Sequence, residues 1–391
     1  MPQLGSATLG ESLTRLPDAG DSRPRCLKDH VTSNTSVWVT VLAGGAGTRF
    51  WPLSTSLRPK QLLSLAGGRP LIADTLERVR GLVPRGNIRV LTGTHLAEPI
   101  RRATGLGDEA ILVESRARGT APALARAAWE IAQSDPDGVM ISLHSDHLVS
   151  PAARFREILA AAADIARRKD LLITVAVPPD RPETGYGYIR PGEALSTPGG
   201  HAAYRVAAFV EKPGPEDAAR YVADGYRWNS GIFVWRAAFF LAELGTHAPG
   251  IARALPALEH GDIATFFDLA EAISVDEALL ERSTRVAAID ATFDWDDIGG
   301  WEAVARLNPP DADGNVRVGE AHVAGSKGNI AFAESGRVVL FGARDMLVVR
   351  TEDITLVMPR SELVRLKRHL TDLPERFTRT TDDGGAGPDS P

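Results

Sequence analysis

Apolar residues in the first two thirds of the chain come in short, nearly unbroken runs. Runs of this kind are typical of strands that are buried on both faces of a sheet. Helical stretches rich in alanine lie between some of them, so the order strand, helix, strand recurs. The runs are Val37–Leu42, Ile88–Leu91, Ile111–Val113, Val139–Leu143 and Leu171–Val177. The pattern predicts an α/β fold with a doubly wound, mostly parallel sheet, in which ligands bind at the carboxyl ends of the strands.

Two helix starts can be read from the residues themselves. Thr120 precedes the alanine-rich stretch Ala121–Gln133, and Ser150 precedes Pro151–Arg168. Hydroxyl side chains are favoured at the N-cap, and proline is favoured in the first turn. We therefore expect Ser150 to act as an N-cap, and Pro122 to lie in the first turn of the helix that follows Thr120.

The pattern of apolar and polar residues changes after Asn308-Pro309-Pro310, a sequence that is typical of a linker. Short alternating runs follow, at Asn315–Val323, Asn329–Phe332, Val338–Phe341, Met346–Arg350 and Thr355–Met358, and then a helix from Arg360 to about Leu373. We predict a disordered extension over 1–36, a main domain over 37–307, a small β-rich domain with a closing helix over 308–377, and a disordered tail over 378–391.

Composition excludes several classes of protein. The chain has 391 residues, 43% of them hydrophobic and 24% charged, with a net charge of −6. No dense block of Lys or Arg is present, which argues against nucleic-acid or membrane-surface binding. No apolar run approaches the roughly 20 residues of a membrane span. Cys26 is the single cysteine, and the first 36 residues hold no signal-type apolar core, so we expect a cytoplasmic protein.

The strongest local signal follows the first strand, where Gly44, Gly45 and Gly47 fall within four positions. Glycines let the backbone approach a ligand, and successive N–H groups can surround phosphate oxygens. Arg49 adds a fork of donors, and Lys60 adds a compact positive charge eleven residues later. Such cations stabilise a triphosphate that is attacked at its α-phosphorus.

Two other glycine motifs fit poorly. A dinucleotide fingerprint would need a third glycine where Phe50 stands, and a P-loop would need a lysine directly after its last glycine. A dehydrogenase is therefore disfavoured. The remaining alternative is a plain tight turn, which the accompanying Thr48, Arg49, Pro52 and Lys60 make less plausible.

Several motifs together resemble the sugar-1-phosphate nucleotidylyltransferases, and within them the mannose-1-phosphate guanylyltransferase branch. The resemblance covers about residues 37–373. It rests on Gly44-Gly45-x-Gly47-Thr48-Arg49-x-Trp51-Pro52 with Pro59-Lys60-Gln61, on Glu183–Ile189, on Phe209–Pro213, on Trp228–Phe233 and on Trp295–Trp301. It implies a Rossmann-like nucleotidyltransferase fold, GTP and a sugar 1-phosphate as substrates, Mg²⁺ as cofactor, and a homodimer.

The resemblance also assigns the nucleotide site. That site would comprise Leu42, Ala43, Gly44, Gly45, Gly47, Thr48, Arg49, Lys60, Gly119, Thr120, Ala121 and Pro122. Gly119 stands where the family usually has Asn, and His144 stands where it usually has Pro. The first departure leaves open another nucleotide base or another sugar phosphate; the second is expected to change only the local backbone.

The catalytic residues implied by the resemblance are Arg49, Lys60, Asp146, Lys212 and Asp297. Asp146 and Asp297 would hold the magnesium ion, since Mg²⁺ prefers one or two carboxylates with phosphate oxygens. Asp296 is the alternative to Asp297. Metal binding through His144 and His147 is a weaker alternative, because nitrogen ligands are unusual for Mg²⁺.

The sugar-phosphate site would comprise Tyr186, Gly187, Glu211, Lys212 and Asn229. Lys212 would pair with the phosphate and Glu211 with hydroxyls, although the two could instead form a surface ion pair. Asn229 lies in an apolar run and needs a partner if it is buried, either a sugar hydroxyl or a backbone group. A non-catalytic paralogue that kept the fold is a further alternative, disfavoured because the cations and acids are all present.

Overall fold

The computed structural model of the chain describes residues 37–45, 47–65, 68–374 and 377. The predicted extension over 1–36 and the tail over 378–391 lie outside them. The first eleven strands are β1 (Val37–Leu42), β2 (Ile88–Gly93), β3 (Ile111–Glu114), β4 (Val139–His144), β5 (Leu148–Ser150), β6 (Leu172–Val177), β7 (Tyr188–Leu195), β8 (Ala203–Val210), β9 (Arg227–Arg236), β10 (Val286–Asp290) and β11 (Asp294–Asp296).

The helices are mostly short. They are α1 (Leu71–Arg78), α2 (Ala97–Thr104), α3 (Thr120–Ser134), α4 (Ala152–Arg168), α5 (Pro215–Ala223), α6 (Ala237–His247), α7 (Pro249–Ala252), α8 (Leu255–Glu259), α9 (Ile263–Leu269), α10 (Trp301–Leu307) and α11 (Leu366–Thr371). Single helical turns of the 3₁₀ type include Thr48–Phe50 and Lys60–Leu62, and a π-turn covers Asp276–Leu280. Within the described ranges, none of the helices combines the length and apolar character needed to cross a bilayer.

Nine strands form one sheet in the order β3-β2-β1-β4-β9-β6-β10-β8-β7. Strands β3, β2, β1 and β4 are parallel, as are β6 and β10, whereas β9 runs antiparallel to its neighbours β4 and β6. The predicted doubly wound, mostly parallel sheet is confirmed. Helices cover both faces: one apolar cluster packs α4 against Val39 and Val41, and another packs α3 and α6 against Trp38.

The register brings the carboxyl ends of three strands to one edge. Leu42 at the end of β1 pairs with Leu91 of β2 and with His144 of β4. The glycine-rich loop and the turn after β4 therefore leave the sheet side by side. The expected Ser150 cap does not form: Pro151 occupies the N-cap position of α4, and Gly119 that of α3, both without a side-chain cap.

The C-terminal part of the described chain, over residues 316–359, is a coil of short strands. The strands are β12 (Val316–Val318), β13 (Ala321–Ala324), β14 (Ile330–Ala333), β15 (Val338–Phe341), β16 (Met346–Arg350) and β17 (Thr355–Pro359). Strands β12, β14 and β16 stack in parallel, and so do β13 and β15. The run predicted as one strand over 315–323 is two strands separated by Gly319, whose φ is 74°. The predicted closing helix begins as a 3₁₀ segment, Arg360–Arg365, before α11.

Buried asparagines join successive turns of this coil. Asn329 Nδ2 donates to Asn315 Oδ1 at 2.8 Å, and Asn329 Oδ1 accepts from the N–H of Met346 at 3.0 Å. The coil also shares an apolar cluster with the main sheet region, in which Trp301 packs near Phe50 and Phe332. The coil thus supports the segment beside the glycine loop, while the domain boundary at 307/308 stays a prediction.

Candidate active site

The glycine-rich loop leaves β1 with an open surface. Gly44 and Gly45 are exposed, and a Cβ added at either would meet no described atom within 4 Å. Gly47 has a φ of 61°, and an added Cβ would lie 2.5 Å from Lys60 Cβ, so this glycine is required by the close approach of Lys60. Leu42 and Ala43 are buried, and the N–H and carbonyl of Ala43 are already hydrogen-bonded within the protein, so these two residues offer a ligand little surface.

Lys60 connects the loop to two distant segments. Its side chain is buried, and Nζ donates to Asp146 Oδ2 at 2.7 Å and to the backbone carbonyl of Asp297 at 2.5 Å. Burial would raise the pKa of Asp146, but the charges of Lys60 and the nearby imidazoles, with the Lys60 hydrogen bond, lower it to about 2. The structure therefore brings Lys60, Asp146 and Asp297 together, as the proposed chemistry requires.

Asp297 is held in a strained turn. The next residue, Ile298, has a φ of 45°, which is rare for a β-branched side chain. Tyr186 donates its phenolic hydrogen to Asp297 Oδ1 at 2.6 Å. Arg49 lies close to the same turn. A Cβ atom placed on Gly299 would be 3.2 Å from Asp297 Oδ1 and 3.3 Å from Arg49 Nη1, so both side chains lie beside Gly299. Strain of this kind clusters at functional sites.

Asp296 is engaged elsewhere. Its Oδ1 accepts from the N–H of Ile298 at 2.7 Å, and its Oδ2 pairs with Arg306 at 2.7 Å. These contacts give Asp296 a structural role in the turn, which favours Asp297 over Asp296 as the reactive acid.

The two carboxylates suit a hard cation. Within the described part of the chain, Asp146 Oδ1 and Asp297 Oδ2 accept no hydrogen bond, so each acid keeps one oxygen for a further ligand. Carboxylate oxygens beside a phosphate-binding loop are what Mg²⁺ prefers. The residues fit the predicted magnesium site, which stays a prediction.

The two histidines near Asp146 are less suited to a metal. Ligand atoms of His144, Asp146 and His147 lie within 4.8 Å of one another. However, Trp295 Nε1 donates to His147 Nδ1 at 3.1 Å, and the two imidazole rings stack at 4.6 Å with an interplanar angle of 26°. One ring nitrogen of His147 is therefore already engaged, and Mg²⁺ prefers oxygen ligands, so the carboxylates remain the better candidates.

On the sugar side, Tyr186 links the predicted residues to Asp297. The backbone N–H of Lys212 donates to Tyr186 O at 3.2 Å, and Lys212 itself has a φ of 49°. Lys212 Nζ pairs with Glu211 Oε1, and its side chain is 63% exposed, so the surface ion pair considered from sequence does form. Glu211 Oε2, by contrast, is buried and has no hydrogen-bond partner among the described residues.

Asn229 already has protein partners for both ends of its amide. Oδ1 accepts from Thr174 Oγ1 at 2.8 Å and from the N–H of Gly231 at 3.3 Å, while Nδ2 donates to Asp276 Oδ1 at 2.8 Å. A methyl group at Gly187 would overlap Glu211 Oε2 and lie 3.3 Å from Asn229 Cβ, so these side chains surround one small space.

Sequence reasoning missed Thr174 and Asp276. Thr174 is a polar residue within an otherwise apolar run, which is the signal that could have marked it, whereas Asp276 lies in the mixed segment Ser274-Val275-Asp276-Glu277 and has no such signal. The signal is weak, because single polar residues in such runs are often exposed.

The segment Gly119–Pro122 is tied to the chain beyond α9. Gly119 has a φ of 83° and a ψ of −179°, a conformation that is essentially confined to glycine. An added Cβ would lie 2.5 Å from Ile273 O. Ile273 N donates to Arg118 O at 3.1 Å, and Val275 N donates to Thr120 Oγ1 at 2.9 Å. Gly119 thus has a structural reason to be glycine, whatever base is bound.

A mostly parallel sheet with a phosphate-type loop, and a buried lysine that contacts Asp146 and the Asp297 turn, is the arrangement expected of an enzyme that transfers phosphoryl or nucleotidyl groups. Comparison with known proteins agrees. Residues 39–314 match the family model described as nucleotidyl transferase, and the chain belongs to this family of nucleotidyltransferase enzymes.

Individual relatives are similar over most of the chain. The mannose-1-phosphate guanylyltransferases of Klebsiella pneumoniae and Escherichia coli K12 are each 35% identical, over 84% and 86% of this chain and 72% and 73% of their own lengths. A crystal structure named as the mannose-1-phosphate geranyltransferase of Thermus thermophilus superposes with a TM-score of 0.80 and 31% identity, covering 86% of this chain and 99% of that one.

Proposed function

We propose that this enzyme transfers GMP from GTP to mannose 1-phosphate, giving GDP-mannose and pyrophosphate, with Mg²⁺ as cofactor. The observation that carries the proposal is the position of Lys60, whose ammonium group bridges the Asp146 carboxylate and the Asp297 turn beside the glycine loop. The names of the relatives support mannose 1-phosphate and a guanylyl donor as the substrates.

The reaction needs little covalent chemistry from the protein. An oxygen of the sugar phosphate, ionised at neutral pH, attacks the α-phosphorus of GTP. The new P–O bond forms as the bond to the β-phosphate oxygen breaks, and pyrophosphate leaves with the electron pair. Catalysis is therefore mainly placement and charge stabilisation.

Different residues would bind the phosphates, stabilise their charge, hold the metal ion and bind the sugar phosphate. Backbone N–H groups of Gly44, Gly45, Gly47 and Thr48 would hold the phosphates, and Arg49 with Lys60 would stabilise the charge that builds up on them. Asp146 and Asp297 would hold Mg²⁺, which when bound neutralises negative charge on the phosphates. Lys212 would pair with the phosphate of the sugar, after exchanging its present partner Glu211.

The test is a pyrophosphate-release assay with each of the common nucleoside triphosphates, Mg²⁺ and a panel of sugar 1-phosphates, with the product identified by mass spectrometry. GTP with mannose 1-phosphate should give the highest kcat/KM, and chelation by EDTA should stop the reaction. Release with a different pair only would replace the GDP-mannose assignment while keeping the chemistry. Absence of release with every pair would favour a non-catalytic paralogue.

A homodimer in the cytoplasm completes the proposal. Val339 and Phe341 on β15 are 54% and 75% exposed, which suits a surface that a second copy covers. Light scattering at micromolar concentration should give twice the mass of the chain, and Phe341→Ser should reduce it. A monomer would count against the dimer without affecting the proposed reaction.

A further inference from the structure

Asp276 is an acid that the proposed reaction does not use. It opens the π-turn Asp276–Leu280, and π-turns are rare and often found at functional sites. Its side chain faces inward: Oδ1 accepts the hydrogen bond from Asn229, and the charge of Glu211 acts on it. The neighbouring Glu277 is exposed, so the turn directs one acid inward and the next outward.

The hydrogen bonds around Asn229 determine which way its amide points. The N–H of Gly231 can only donate, so it requires the oxygen of the amide on its side. On the other side, the Asp276 oxygen that faces the amide acts as the acceptor, so it requires the nitrogen there. A flipped amide would place a donor against a donor and an acceptor against an acceptor. Asn229 therefore keeps one N–H hydrogen that no described residue accepts.

The space beside Asn229 contains a complementary acceptor. Glu211 Oε2 is buried and has no hydrogen-bond partner in the described chain, and it adjoins Gly187 as Asn229 does. Leaving such an oxygen buried without a partner costs stability, which a ligand hydroxyl would recover. A hydroxyl is the group that can accept from an amide N–H and donate to a carboxylate at once.

We infer that Asp276 is a positioning residue that holds Asn229 as a hydrogen-bond donor, so that Asn229 and Glu211 together bind hydroxyl groups of the sugar 1-phosphate. The inference rests on the proposed function, because it identifies a sugar phosphate as the ligand of this space. It goes further by identifying Asp276 as the residue that orients Asn229 for this contact.

The same turn is connected to the nucleotide side. Val275, which precedes Asp276, donates its N–H to Thr120 Oγ1, and Ile273 exchanges backbone hydrogen bonds with Arg118 and Ala121. The first turn of α3 thus fixes the position of Asp276. This link gives the sugar subsite a rigid support rather than a free loop.

The test compares Asp276→Ala, Asp276→Asn and the outward-facing control Glu277→Ala, using kinetics and the melting temperature. Asp276→Ala should raise KM for the sugar 1-phosphate about 10-fold or more, while KM for GTP and kcat change by less than about 2-fold. Asp276→Asn keeps an acceptor oxygen and should stay within about 3-fold of the native KM. Glu277→Ala should behave as the native enzyme.

Two results would overturn the inference. Equal changes in both KM values, or none, would mean that Asp276 is structural only. Loss of the rescue by Asp276→Asn would mean that the charge itself, rather than the orientation of Asn229, is what the sugar needs. If Asp276→Ala does not fold, the near-isosteric Thr174→Val removes the hydrogen bond to the oxygen of the same amide. An unchanged KM for the sugar 1-phosphate in Thr174→Val would also count against the inference.

Calorimetric titration of the native protein and of Asp276→Ala with mannose 1-phosphate separates this inference from the proposed function. Weaker binding to Asp276→Ala supports the inference even if the donor nucleotide was assigned wrongly. Equal binding removes the inference alone. A native protein that binds no sugar 1-phosphate and releases no pyrophosphate removes both.

Discussion

Tyr186 and Asp297 lie 111 positions apart and are joined by a hydrogen bond of 2.6 Å from the phenol to Oδ1. Burial and the charge of Asp297 both raise the pKa of Tyr186, so the phenol stays protonated and donates. Its ring packs edge-on against Trp228 and Trp295, each at 5.1 Å. A residue from the predicted sugar site thereby orients a residue from the predicted metal site.

Replacing Tyr186 by Phe should therefore weaken magnesium binding more than it weakens folding. Loss of a group that orients a metal ligand typically costs about 10- to 100-fold in metal affinity or activity. The measurement is the Mg²⁺ concentration for half-maximal rate, with the melting temperature as control. An unchanged Mg²⁺ dependence would show that the hydrogen bond does not orient a metal ligand.

Asp297→Asn should reduce kcat by at least about 100-fold with little loss of stability, because Asn keeps the acceptor for Tyr186 but removes the charge. The adjacent acid provides a matched control. Asp296→Asn loses the charge that pairs with Arg306, and should lower the melting temperature while the rate stays within about 3-fold. The reverse pattern would assign the reactive role to Asp296.

Gly119→Asn should destabilise the protein by at least about 2 kcal/mol, although Asn is the residue usual in the family. The cause is the backbone conformation at φ 83°, together with the overlap of any Cβ with Ile273 O. Gly245→Ala in α6 is the control, since an added Cβ meets no described atom within 4 Å and alanine favours a helix. In urea unfolding, Gly119→Asn should lower the free energy of unfolding and Gly245→Ala should raise it. Equal changes in the two variants would contradict a strained backbone at Gly119.

Asp276 should make stability depend on pH. Burial is the main reason that its pKa is raised from 3.8 to about 7; the charge of Glu211 adds to this, while Asn229 and Lys212 oppose it. The folded state holds this proton more tightly than the unfolded state, so the associated stability is present below pH 4 and is lost as the pH rises through about 7.

Asp276→Asn removes that dependence, because an amide does not ionise. The melting temperature of Asp276→Asn minus that of the native protein should increase from pH 4 to about pH 7 and then level off. A difference that is constant across this range would show that Asp276 is ionised throughout. Thermal melts in buffers of constant ionic strength provide the measurement.

Sequence patterns were sufficient for the parts of this protein that depend on neighbours along the chain. The apolar runs ending at Leu42 and Leu143 indicated buried parallel strands, because only strands covered on both faces lack a polar side. Two Gly-Asn pairs, Gly314-Asn315 and Gly328-Asn329, mark the same position in successive turns of the C-terminal coil, but Asp345-Met346 stands there in the third turn, so the repeat is weak in the sequence. In the structure, side-chain hydrogen bonds between successive turns of the coil show this repeat.

What the sequence determined by itself was the class of fold, the glycine loop, and the residue types that phosphate and sugar chemistry require. Only the tertiary structure decided which of them meet: that Lys60 joins Asp146 to the Asp297 turn, that Asp296 is engaged by Arg306, and that Asp276 orients Asn229. The physical reason is that hydrogen bonds and ion pairs act over a few ångströms in space. Separation along the chain sets no such distance until the sheet has placed the strand ends side by side.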